Sequence, residues 1–360
     1  MSALTSLVGA RFAELSAYRT RPDPAPVKLD ANESPWPLPE PVQRALAEAL
    51  GAAPLHRYPD LLARDVRAAL AARLGTSPDT LVCGVGSDEV IGLLLRVFDR
   101  PRPGRPAATV LYPTPSFVMY PITAKVHGVT PVEVPLQPDF TLDVPAMRAA
   151  LSEHRPNLVF LATPNNPTGN PFSDAALREL IEAAPDTLFV LDEAYAPFAG
   201  RTLRGWVDAF PNVAVMGTLS KVGLAGLRLG WVQLAPSLAQ ELEKARPPYN
   251  LAMPTQRAAT LLLRDHADAL DQQVASIVSE RQRLHAALSA LPSVRPLASS
   301  ANFILVEVGD AATVHTQLLE RGVQVRRFAK VPRLGAHLRI TVGSPAENTA
   351  LLEALRAVVG

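Results

Sequence analysis

The sequence predicts an α/β protein: a large domain with a mostly parallel central sheet flanked by helices, followed by a smaller α+β domain. Short, continuous apolar runs recur at Leu81–Cys83, Thr109–Tyr112, Leu158–Ala162, Leu188–Leu191 and Val213–Met216, and helical patterns or turns separate most of them. Runs without alternation belong to strands buried on both faces, and strands that alternate with helices build parallel sheets. After about residue 270 the texture changes to long helices among a few strands.

Residues 1–40 are Pro-rich and irregular, which predicts an arm packed on the smaller domain or on a partner. Leu61–Leu74 carries Leu, Val and Ala at helical spacing among Arg and Asp. Gly84-Val85-Gly86-Ser87 then opens a second helix that runs through Phe98. Beyond the apolar runs, the pattern predicts a helix over Asp271–Leu291, a strand over Asn302–Val308 and a helix near Thr313–Arg321. Strands over Val323–Arg327 and His337–Val342 and a final helix over Glu347–Val358 follow. The expected division is arm 1–40, large domain 41–270 and small domain 271–360.

With 360 residues, 48% of them hydrophobic, the chain can fill cores in two domains. Lys+Arg (35) nearly balance Asp+Glu (34), which gives no electrostatic case for nucleic acid or an anionic membrane. The one cysteine, Cys83, excludes an intrachain disulfide and fits a reducing cytoplasm. The start MSALTSLVGARF lacks the basic-then-apolar order of a signal peptide, and no run reaches the roughly 18 apolar residues of a membrane helix. The seven histidines show no metal-ligand spacing, so no metal is expected.

In an open parallel sheet, ligands sit beyond the carboxyl ends of the strands. Four polar segments fall there: Gly86-Ser87-Asp88, Asn165 through Gly169, Asp192 through Tyr195, and Ser220-Lys221. Lys221 lies between apolar runs, where lost hydration frees an amine for Schiff-base formation; by position alone an ordinary surface lysine at a strand end is the better fit. Asp192 closes the run Leu188–Leu191 and suits a protonated pyridine nitrogen, although a plain polar strand terminus reads the same way. A nucleotide-binding alternative for Asp192 needs a Gly-Lys-Ser/Thr loop, and none of the five lysines follows a glycine. The helix start at Gly86 suits a phosphate through its free amides, or simply a capped helix. Glu89 stands where a dinucleotide fingerprint wants a third glycine.

Taken together, the segments resemble fold-type I pyridoxal-phosphate-dependent transferases, and more narrowly the histidinol-phosphate aminotransferase family. They are Leu29-Asp30-Ala31-Asn32-Glu33-Ser34-Pro35, Arg57-Tyr58-Pro59, Gly86 through Glu89, Tyr112 through Tyr120, Asn165 through Gly169, Asp192 through Tyr195, Thr218 through Gly230, and Leu338 through Gly343, in the family's order across almost the whole chain. The resemblance implies that Lys221 carries pyridoxal 5'-phosphate and moves the proton. It implies that Asp192 holds the pyridinium, Tyr195 and Asn166 the ring oxygen, and Phe117 the ring face. Gly86, Ser87, Asp88, Thr218, Ser220 and Arg228 would hold the phosphate, with Tyr58 reaching it from the partner of a homodimer. Arg339 would bind the substrate anion beside Tyr18, Asn32 and Arg326. Arg228 follows Lys221 by seven positions where many relatives have eight, so its turn must be shorter.

The implied reaction is amino transfer from L-histidinol phosphate to 2-oxoglutarate in a cytoplasmic enzyme of histidine biosynthesis. An aromatic amino-acid aminotransferase, a threonine-phosphate decarboxylase or a non-catalytic ligand sensor of the same fold remain open alternatives. The near-neutral charge and short N-terminal arm argue against the sensor, which would need an appended DNA-binding domain.

Overall fold

The computed structural model describes residues 4–13, 15–17 and 25–359. In chain order the strands are β1 (Val27–Leu29), β2 (Leu81–Val85), β3 (Thr109–Thr114), β4 (Thr130–Pro135), β5 (Leu158–Ala162), β6 (Leu188–Asp192), β7 (Val213–Thr218), β8 (Leu229–Gln233), β9 (Arg295–Pro296), β10 (Phe303–Glu307), β11 (Val323–Arg327) and β12 (His337–Thr341). The helices are α1 (Glu40–Gly51), α2 (Arg64–Leu74), α3 (Gly86–Val97), α4 (Met119–His127), α5 (Val144–His154), α6 (Asp174–Ala183), α7 (Trp206–Ala209), α8 (Pro236–Ala245), α9 (Met253–Asp265), α10 (Ala267–Ser289), α11 (Ala311–Glu320) and α12 (Pro345–Val359).

Seven strands form one sheet in the order β2-β8-β7-β6-β5-β3-β4. All neighbours pair in parallel except β8, which runs antiparallel to both β2 and β7. The continuous apolar runs fill two cores at once. Val110, Tyr112, Phe160, Val190 and Met216 face α3, α4 and α8, whereas Leu111, Val159, Leu161, Leu191 and Val215 face α5 and α6. Alternate residues of one strand thus enter opposite layers, which is why no polar residue interrupts them.

Five strands form the second sheet, in the order β1-β11-β12-β10-β9, packed on α10, α11 and α12. The arm is not wholly irregular. Its Val27–Leu29 pairs in parallel with Val323–Val325 as an edge strand. Three residues between proline-rich stretches are too short to show a period, so the strand exists through pairing alone. Neither β4 nor β8 announces itself in the sequence: prolines interrupt the first, and Gly230 the second. Among the described residues no helix is long and apolar enough to cross a membrane.

Candidate active site

The carboxyl ends of β2, β5, β6 and β7 lie on one edge of the seven-stranded sheet and bring the four polar segments together. Asp192, the last residue of β6, is buried; its Oδ2 accepts a 2.7 Å hydrogen bond from the Tyr120 hydroxyl, and its Oδ1 a 3.0 Å bond from the Ala194 amide. Burial pushes the Asp192 carboxyl above its ordinary range, against the pull of the Tyr120 and Ala194 bonds and of Lys221, while Asp88 adds to the rise. Glu193 beside it is also raised by burial, and it anchors Thr202 Oγ1 and the Leu203 amide.

Lys221 sits in the wide turn Ser220–Leu224 after β7. Its Nζ lies 6.0 Å from the centre of the Tyr195 ring and 3.5 Å from the Ala31 carbonyl. The Tyr195 hydroxyl accepts a 2.9 Å bond from Asn32 Nδ2. Asn32, buried and at φ 55°, is held on its other groups by Thr341 and Asn302. Thr218 Oγ1 stands 2.9 Å from Ser220 Oγ and accepts from the Ser220 amide, so the two hydroxyls share one corner.

The turn between Lys221 and Arg228 ends on a left-handed residue. Arg228 adopts the left-handed conformation (φ 51°), and its carbonyl accepts from the Gly86 amide at 2.8 Å. Its guanidinium reaches back over the start of α3, 3.5 Å from Asp88 Oδ2. Gly86 sits at φ 73°, a backbone conformation that favours glycine, and a Cβ there would come within 2.7 Å of that guanidinium, which would have to shift. Behind the same turn, a Cβ on Gly230 of β8 would lie 2.5 Å from the Gly86 carbonyl carbon and the Ser87 amide nitrogen. Glu89, in place of a third glycine, closes the helix start instead: its Oε2 accepts from the Val85 amide at 2.6 Å and from Asn250 Nδ2 at 2.7 Å.

Arg339 of β12 joins three distant segments. Nη1 donates to Asn166 Oδ1 at 2.7 Å and Nη2 to the Asp30 carbonyl at 2.6 Å, with Phe303 and Phe328 against the guanidinium. Arg326 of β11 is its direct cross-strand partner. Phe117 meets Tyr120 edge-on at 5.6 Å. Tyr58 stands apart: it is 79% exposed and stacks on Tyr249 at 4.5 Å, with no hydrogen bond to the rest of the site among the described residues. Tyr18 lies outside the described residues. Sequence reasoning gave no role to Tyr120, Asn302 or Thr341. Phe117 lies just before α4 and Tyr120 in its first turn, so no helical spacing links the two, and Tyr120 reads in the sequence as an apolar core aromatic.

These parts fit a ring with a protonated nitrogen and a phosphate tail. Among the described residues the buried Asp192 carboxylate has the neutral donors of Tyr120 and Ala194 as its hydrogen-bond partners, so a buried negative charge there calls for a cation. The first turn of α3 offers free amides with the Arg228 guanidinium over it, and the Thr218 and Ser220 hydroxyls lie together at the end of β7.

The sequence profile of the family described as aminotransferase class I and II matches residues 24–355. The histidinol-phosphate aminotransferase 1 of Burkholderia lata is 46% identical over 335 residues, covering 92% of this chain and 91% of the relative. The histidinol-phosphate aminotransferase of Paracidovorax citrulli is 44% identical, covering 95% of each chain. Among solved structures, histidinol-phosphate aminotransferase from Sinorhizobium meliloti in complex with pyridoxal-5'-phosphate superposes with a TM-score of 0.83 at 30% identity, covering 93% of this chain and 91% of that one. The chain belongs to the class I and II aminotransferases, which are pyridoxal-phosphate enzymes, and among them to the histidinol-phosphate aminotransferase family.

Proposed function

We propose that this chain transfers the amino group of L-histidinol phosphate to 2-oxoglutarate, releasing imidazole-acetol phosphate and L-glutamate by a ping-pong sequence. The observation that carries the substrate choice is the pairing of Arg326 with Arg339. Directly opposed residues on antiparallel strands project from the same face. Two guanidinium groups near one anion favour a doubly charged phosphate over a singly charged carboxylate. The names of the relatives agree with this reading.

Pyridoxal phosphate, when bound, supplies a sink for the electrons left at the substrate Cα as its proton departs. Lys221 would hold it covalently, and its free Nζ would take the substrate Cα proton and later return one. Asp192 keeps the ring nitrogen charged. Asn166, whose Oδ1 accepts from Arg339, would offer its amide nitrogen, with the Tyr195 hydroxyl, to the ring oxygen. Phe117 covers the ring face. Gly86, Ser87 and Asp88 through their backbone, with Thr218, Ser220 and Arg228, hold the phosphate, and Tyr58 of the partner subunit joins them. Arg339 grips the substrate anion with Arg326, Asn32 and Tyr18 around it.

The working unit is a cytoplasmic homodimer. Each chain has an arm (1–40), a large cofactor-binding domain (41–270) and a small domain (271–360), a division supported by the two separate sheets. The test is a half-reaction screen that follows loss of the bound cofactor's visible absorbance. Histidinol phosphate should react far faster than phenylalanine, aspartate or threonine phosphate; a preference for phenylalanine would replace this reading with an aromatic aminotransferase.

A further inference from the structure

Asp192 is held by more than its place at the end of β6. Tyr120, in the first turn of α4, is fully buried, and its hydroxyl donates to Asp192 Oδ2 at 2.7 Å. The ring is clamped in turn: it stacks on Phe160 at 4.7 Å and meets Phe117 edge-on at 5.6 Å. Burial and the adjacent Asp192 charge push the phenol's ionisation well up, so the hydroxyl keeps its proton and acts as a fixed donor. The other titratable groups facing Asp192 are Asp88 from α3, which opposes its ionisation, and Lys221 from the turn after β7, which favours it.

We infer that Tyr120 is a positioning residue for Asp192: its hydroxyl orients the carboxylate and stabilises its charged form, so the site keeps its hold on the cofactor ring to a lower pH than a bare buried carboxylate would. The inference rests on the proposed role of Asp192 as partner of the ring nitrogen. A hydrogen bond to the charged form favours that form, and a charge-assisted one in a buried site carries more weight than a neutral one.

The experiment uses the full chain, stripped of cofactor and titrated with pyridoxal phosphate from mildly acidic to alkaline pH, with the dissociation constant read from cofactor absorbance. Tyr120→Phe keeps both ring contacts and removes only the hydroxyl. It should bind about tenfold more weakly, and the acidic fall in affinity should move to higher pH. Tyr120→Met, a second hydroxyl-free variant, should move it in the same direction. Phe160→Leu disturbs the same stack but keeps the hydroxyl, and should leave the fall where it is. In an Asp192→Asn background, Tyr120→Phe should add nothing, because the group it acts through is gone. Thermal unfolding of each cofactor-free variant checks the fold. An unmoved acidic fall in Tyr120→Phe, or a loss that persists in the Asp192→Asn background, overturns the inference while leaving Asp192 in its role. If Asp192→Asn alone binds with wild-type strength and pH dependence, the role of Asp192 fails first and the inference goes with it.

Discussion

Until a cation arrives, Asp192 works against the stability of its own fold. Its carboxyl is raised by burial above the ordinary 3.8. A carboxyl raised in the folded state holds its proton more tightly there than in the unfolded chain. The stability it lends at low pH is therefore lost as pH climbs from the ordinary value through the raised one. Glu193, also raised by burial, acts with the same sign. Asp192→Asn removes one of these two groups. The cofactor-free variant should therefore unfold about 2 °C or more above wild type at neutral pH, with the gap closing as pH falls toward 4. Adding pyridoxal phosphate should reverse the order, because only the wild type gains a paired ring nitrogen and the linkage that tight binding brings. Calorimetry with and without cofactor checks both halves; a wild type that is the more stable without cofactor at neutral pH would contradict the first. At this scale Asp192 and Lys221 were legible because each is a charged residue placed where an apolar run stops. Tyr120 was not, because an aromatic residue beside a strand on an apolar helix face reads as core, and only the third dimension puts its hydroxyl on a carboxylate.

At the scale of elements, β11 and β12 decide which anion the site prefers. Arg326 and Arg339 face each other across the ladder, but only Arg339 is tied to the large-sheet loops, through Asn166. Arg326→Ala should therefore weaken histidinol phosphate more than glutamate, by roughly ten- to a hundredfold for one lost charge-assisted bond. Arg339→Ala should damage both half-reactions. Comparing kcat/KM for each half-reaction in each variant is the check, and equal harm to both substrates by Arg326→Ala would remove its selecting role. The strands at residues 323–327 and 337–341 could be read from their apolar patterns. Their mutual register could not, because pairing is a property of two segments, and the same holds for the edge strand at residues 27–29. The sense of β8 was hidden for a related reason: a run of five residues does not say which way it crosses a sheet.

At the scale of the molecule, one feature remains outside any site within a single chain. Tyr58, Tyr249, Leu55, Leu61 and Leu62 are all exposed, and the two tyrosine rings stack in solvent. Large apolar side chains gathered on a surface mark a place where another chain sits. Mixing Tyr58→Ala with Lys221→Ala chains under subunit exchange should restore part of the activity, since a mixed dimer pairs an intact Lys221 with the intact Tyr58 opposite. Recovery is measured against each inactive parent. No recovery despite proven exchange would keep Tyr58 in its own chain's site, or outside any. The order of motifs along the chain announced the enzyme, but nothing in one chain's sequence states how two copies meet.

Gly230 turns β8 into a backstop. The turn at residues 86 and 87 rests directly on it, with main-chain atoms 2.5 Å from where a methyl would be. A loop with no slack behind it cannot retreat, and with the cofactor phosphate placed on this turn as proposed, the pocket would measure its ligand by length, like a ruler fixed at one end. Cofactor analogues whose phosphate arm is one atom longer should be rejected out of proportion to their small chemical change. Gly230→Ala should push the zero mark forward, weakening pyridoxal phosphate itself and costing about 1–3 kcal/mol of stability through overpacking. Chemical unfolding and a cofactor titration of that one variant read both effects. A variant as stable as wild type, binding as tightly, would mean that the turn has room to yield.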